Sequence, residues 1–142
     1  MTMNLAIARE VMDGALAKAA ALQLKPIAVA VFDARGCLRS FMAQDGTSLL
    51  RGEVAQGKAY GALALGMGSR AIYKRAQEQA YFIDAVNTLA RGAIIPVPGG
   101  VLIRDAAGEL LGAVGVSGDT SDNDELCALA GIAAAGLTPD AG

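Results

Sequence analysis

At 142 residues, with a net charge of −2 and acids and bases interspersed, the chain is expected to form a single domain, 1–142, with no basic stripe for nucleic acid. Its hydrophobic content is 54%, but Gly or a charge interrupts every apolar stretch before the roughly 20 residues that a membrane span needs, so no membrane partner is expected. There is no histidine, which excludes a His-based triad, a His-ligated zinc and a haem held by a proximal His, and leaves acid–base work to Asp, Glu, Lys, Tyr or Cys.

The opening residues, MTMNLAIAREVMDG, carry no basic segment and set Arg9, Glu10 and Asp13 where a signal peptide is apolar, which predicts a cytoplasmic protein. Residues 4–22 read as an amphipathic helix, with Leu5, Met12, Leu16 and Ala19 on one side near Val11 and Ala15, and Pro26 ends the element. A continuous apolar run, 27–32, has the length of a strand. Asp33-Ala34-Arg35-Gly36 then forms a turn, and 37–43 is the return strand of a hairpin. The same pattern recurs at 103–110, where Asp105-Ala106-Ala107-Gly108 repeats the turn design. Cys37, in the first hairpin, and Cys127, in the last helix, are expected to be small buried hydrophobes of a reducing compartment.

Between the hairpins, 49–65 is predicted helical and 69–90 helical with a split near Gln77. The first of these carries Ala55, Gly57, Ala59, Gly61 and Ala62, and each Gly costs about 1 kcal/mol relative to Ala in a helix interior. Close approach to a sheet, a second subunit or a ligand would offset that cost. Gly66-Met67-Gly68-Ser69-Arg70-Ala71 matches a dinucleotide fingerprint only superficially: a helix rather than a strand precedes it, so it reads as a helix break with Ser69 as a new N-cap. The strand 109–116 is almost wholly apolar, as a central strand is, and a helix over 122–135 is stopped by Gly136 and Pro139. Strands arriving as paired hairpins between helices predict an α+β fold with a mainly antiparallel sheet.

Four segments are candidates for chemistry. In Pro96-Val97-Pro98-Gly99-Gly100 the prolines stiffen the chain ahead of two unrestricted residues. The N–H groups of Gly99 and Gly100 either face a cavity and bind a carboxylate or oxyanion, or simply form a tight strand entry. Ser117-Gly118-Asp119 lies where a strand gives way to a helix, a common place for ligand contacts, whereas Asp122 with Glu125 has capping-box character. The four acids between 119 and 125 lack the ligand alternation of a calcium loop, and no metal site is expected. Asp45-Gly46-Thr47-Ser48 caps the next helix, from which Lys58 projects, either as a solvated lysine or as a base, Schiff-base amine or anion anchor. Arg70, with Lys74 and Arg75, forms a short basic face that binds carboxylates or solvent.

Asp33-x-x-Gly36, Asp45-Gly46, Gly57-Lys58-Ala59, Pro98-Gly99-Gly100-Val101 and the run from Gly112 to Gly118 followed by Asp124-Glu125 together resemble the GlcG/HbpS haem-binding-like family, which includes the C-terminal domains of PduO proteins. The resemblance spans nearly the whole chain. It implies a profilin-like fold, a five-stranded antiparallel sheet flanked by helices in three α/β/α layers, and assembly into a homo-oligomer, tetramer to octamer. It also implies haem or a related compound as a possible cofactor, since some members bind haem or corrinoid-related compounds and some degrade haem or bind iron. The chain departs from the pattern in having no His and in carrying Ala43 where an Arg often stands two positions before the Asp-Gly element. An axial ligand to haem would therefore come from Met42, Tyr60, Tyr73 or a cysteine, or the iron would be held without strong protein ligation.

Two functional readings follow. In the first, the protein binds haem or a similar carboxylated small molecule in a subunit-interface pocket, with Gly99, Gly100, Ser117, Gly118, Asp119 and Arg70 as binding residues and Lys58 as a further anchor. In the second, it is a metal-independent lyase, isomerase or hydratase acting on a small oxo-acid, with Lys58, Asp45 and Glu125 as acid–base groups.

Overall fold

A computed structural model describes residues 1–142. Helix α1 (Leu5–Ala21) leads into the hairpin β1 (Ala28–Asp33) and β2 (Leu38–Ala43), and three helices follow: α2 (Arg51–Leu65), α3 (Ser69–Glu78) and α4 (Ala80–Leu89). The second hairpin, β3 (Gly100–Arg104) and β4 (Leu110–Ser117), is followed by α5 (Ser121–Ala134) and a short β5 (Thr138–Asp140). The five strands form one antiparallel sheet in the order β2-β1-β4-β3-β5.

The two hairpins close in the same way. Asp33 Oδ1 accepts the N–H groups of Arg35 and Cys37, and Asp105 Oδ1 accepts those of Ala107 and Glu109, so each aspartate satisfies the turn it begins. Burial works to raise the Asp33 carboxyl, but the N–H groups of Cys37 and Arg35 outweigh it and hold the group below its ordinary range.

Alternation along the strands sorts the core into layers. Val29, Val31, Val101, Val114 and Val116 face α1 and α5, where Val11, Met12, Cys127 and Ile132 complete the larger cluster. Ala28, Ala30, Leu102 and Ala113 face α2, which answers with Ala55, Ala59 and Ala62. Small residues on both sides bring helix and sheet unusually close: a Cβ on Gly115 would collide with the carbonyl oxygen of Ala55. The small-residue face of α2 is thus a packing surface against the sheet. A third cluster, Ile72, Ile83 and Ile94, lies under α3 and α4.

Several local expectations change. Leu5 is exposed, and the buried face of α1 is Ala8, Val11, Met12, Ala15 and Ala19. Cys37 is exposed beside the edge strand, and only Cys127 is buried. The break in the 69–90 region falls at Gln79. No side chain caps α2, because its N-cap is Leu50. Ser69 does not cap α3: Gly68 stands at that position, and Ser69 Oγ accepts the Gly100 N–H instead. The cap of α5 is Thr120, whose hydroxyl accepts the Asn123 N–H, while Asp122 turns to Arg70.

Candidate functional site

The start of α5 gathers most of the residues the sequence marks out. Lys58 enters from α2 and is buried, with 2% of its surface exposed. Its Nζ donates to the Val116 carbonyl at 2.9 Å and to Asp124 Oδ2 at 3.0 Å. Removal from water pushes the ammonium below its ordinary pKa, and Asp124 offsets part of that shift. The other oxygen of Asp124 accepts the Asp119 N–H at 3.0 Å.

Gly99 lies against the Lys58 side chain with φ +123°, where a Cβ would come within 2.9 Å of Cδ and Nζ. Lys58 is therefore a strut joining α2, β4 and α5, not a solvated lysine. With its ammonium sealed between a carbonyl and a carboxylate, it has no open approach for an electrophile.

The remaining residues are likewise held by partners. Asp119 accepts the N–H groups of Lys25 and Thr120 and the Asn123 amide; the Asn123 bond is the chief reason its carboxyl is held down at about 2. Arg70 spans α3 and α5, with Nε on the Glu125 carboxylate at 3.0 and 3.2 Å and Nη2 on Asp122 at 2.6 Å. The acids of the α5 start thus divide among Lys58, Arg70 and backbone N–H groups rather than converging on one point. Ser117 is buried and accepts from Arg51 Nη1 at 3.3 Å, while Gly118 leaves no room for a Cβ beside the Pro26 carbonyl.

The Gly100 N–H is taken by Ser69 Oγ at 2.7 Å, which leaves it no hydrogen to offer a ligand. A hollow of about 430 Å³ adjoins this assembly, bordered by Arg70, Tyr73, Pro98 and Asp122. Asp45 stands apart from all of it, exposed at the end of β2 near Leu24 and Pro26.

A different face of α2 borders the apolar opening of the molecule. Leu50, Val54, Gly57 and Tyr60 recur at helical spacing and, with Phe32 of β1 and Ile95, line a cleft of about 500 Å³. Its outer wall, residues 91–95, is pinned in place. The Gly92 N–H donates to the Asn87 carbonyl at 2.8 Å, the Ile94 N–H to Asn87 Oδ1 at 3.0 Å and the Ile95 N–H to the Gly57 carbonyl at 3.2 Å. Two charged residues line the cleft, Glu53 and Arg91. The volume and apolar lining fall in the range of small-ligand pockets.

The model of the HbpS-like haem-degrading proteins matches residues 3–133. The chain belongs to the HbpS-like family. The HbpS-like domain superimposes on a PduOC:heme complex with a TM-score of 0.87 at 23% identity, covering 97% of this chain and 98% of that one. It is similar to the Klebsiella pneumoniae protein ORFY, with a TM-score of 0.85 at 25% identity and coverages of 96% and 92%. HbpS itself gives 0.80 at 24% identity, with coverages of 94% and 89%. A comparison with curated proteins gives no match. These likenesses bear out the profilin-like α+β architecture, and no helix of the HbpS-like chain is long and apolar enough to cross a membrane.

Of the haem-ligand candidates, only Tyr60 lines the apolar cleft. Tyr73 borders the polar hollow, Met42 lies exposed on β2 and Cys127 is inside the core. Sequence reasoning missed Phe32, Val54 and Ile95 as cleft walls because all three read equally well as core. It missed Arg91 because a lone Arg before a Gly at a helix end is ordinary.

Proposed function

We propose that the protein binds haem, or a related flat and carboxylated small molecule, in the cleft between α2 and residues 91–95, and that this cleft lies at an interface of a homo-oligomer. One observation carries the reading: a preformed apolar cleft holds Tyr60, whose phenol oxygen is of a type that ligates haem iron, in a chain with no histidine. Phe32, Val54 and Ile95 offer walls for a planar macrocycle. Bound iron would supply redox chemistry; the chain's part is to hold the ring and exclude water.

Family membership and the likeness to a haem complex support the same ligand class. Exposed Leu49, Leu50 and Phe41 on the α2 side of the sheet, Leu49 at 91%, support an interface there. The burial of Lys58 on the Val116 carbonyl and Asp124 and the ion pairing of Glu125 favour binding over acid–base catalysis.

Haem titration followed by absorbance tests the reading. A saturable Soret shift at micromolar protein is expected, with Tyr60→Phe altering the bound spectrum and weakening binding about tenfold while Tyr73→Phe does neither. No shift in the wild type would refute it. Light scattering that shows a monomer would remove the interface part alone.

A further inference from the structure

The two cationic side chains expected from sequence to hold a ligand's carboxylate are engaged elsewhere: Lys58 is buried on Asp124, and Arg70 is committed to Asp122 and Glu125. We infer that Arg91 is the specificity-determining residue of the cleft and selects ligands bearing a carboxylate. This rests on the cleft being the binding site.

Three observations converge on it. Arg91 is the only cation lining the cleft, and it takes part in none of the chain's ion pairs, so its guanidinium is available. Its position is also fixed by the backbone. Arg91 donates its N–H to Thr88 and Gly92 donates to Asn87, the paired bonds of a Schellman ending, and the bonds from Ile94 and Ile95 hold the segment beyond. Arg91 itself adopts φ +58°, a left-handed conformation that favours glycine.

Gln23 ends α1 in the same conformation, so the strain is not itself the argument; what matters is that at Arg91 the fold sets a free cation on the wall of an apolar cleft. Glu53, on the α2 side, completes the pattern. It repels carboxylates from its own wall and so orients a ligand's acidic edge toward residues 91–93. An unpaired guanidinium beside apolar walls is well suited to fork-like carboxylate recognition.

Haem and haem dimethyl ester differ only in their carboxylates and so separate the two claims. The wild type is expected to bind haem about tenfold more tightly than the diester. Arg91→Gly should bind haem as weakly as the diester while leaving diester affinity unchanged, and Arg91→Lys should recover part of the preference. Because glycine suits the left-handed position, Arg91→Gly is expected to melt no lower than the wild type, which separates lost recognition from lost folding. Equal binding of both ligands by the wild type, or a preference that survives in Arg91→Gly, overturns the role of Arg91 while the cleft stands. Failure of both ligands to bind overturns the cleft reading as well.

Discussion

Lys58 and Asp124, 66 residues apart in the chain, meet at 3.0 Å inside the protein, with 2% and 1% of their side-chain surfaces exposed. Removing one member of such a pair strands the other charge without water, at a cost of about 3–5 kcal/mol. Lys58→Met and Asp124→Leu are each expected to lower the urea midpoint sharply. The double variant should lose less than the sum of the singles by at least about 1 kcal/mol. Additive losses would show that the pair is not coupled.

Asp119 predicts the acid limb of stability. Its carboxyl is held down at about 2 from an ordinary 3.8, chiefly by the Asn123 amide and then by the N–H groups of Thr120 and Lys25. A carboxyl whose folded pKa is depressed stabilises the fold above its unfolded pKa and loses that contribution as pH falls through the folded one, here from about 4 down to about 2. Urea midpoints measured across this window should fall, and Asp119→Asn should flatten the fall. An unchanged slope in the variant would assign the acid limb to other groups.

Gly115 marks the closest approach of α2 to the sheet, with no space for a Cβ beside the Ala55 carbonyl. Overpacking of this kind costs about 1–3 kcal/mol. Gly115→Ala should therefore melt several degrees lower, and Gly115→Val lower still. A wild-type melting temperature in both would mean that the helix moves away freely.

The two thiols differ in reach. Burial pushes the Cys127 thiol up to about 11, and Cys37 is exposed. A thiol reagent should label one cysteine per native chain, and Cys37→Ser should leave none reactive until denaturant is added. Two fast thiols in the native wild type would contradict the placement of Cys127.

Asn87 clamps the cleft wall through its side-chain bond to the Ile94 N–H. Asn87→Ala leaves that donor without its acceptor, at a cost of about 1–3 kcal/mol. Haem affinity should fall with it, because the wall it holds is the wall the ligand meets. Retained affinity together with lowered stability would separate the clamp from the site.

How much of this the chain reveals depends on the range of the interaction. Asp33 and Asp105 close their turns with bonds two and four residues away, so both hairpins are legible from local spacing. The apolar runs of β1 and β4 are likewise read directly as covered strands. β5 is not legible: three residues including Pro139 carry no periodicity, and only pairing with β3 makes them a strand. The burial of Lys58 escapes for a related reason. Small residues lie all around α2, so no polar side stands out, and the partner that accounts for the lysine lies in another helix. The cleft depends on residues 91–95 folding back onto Gly57, a contact between distant segments that leaves no local mark.

The two edges of the sheet are not alike. On one side β5 is three residues long and its central residue, Pro139, has no N–H to offer; on the other, β2 runs six residues with Leu38, Phe41 and Met42 exposed. Strand-to-strand association is therefore disfavoured on the β5 side relative to the β2 side. An edge that can join only its own copy closes after two chains, with a two-fold axis between them, and cannot propagate into a fibre. The proline at the far edge thus works against strand addition there, and any strand pairing between copies would fall to β2 and stop at two chains.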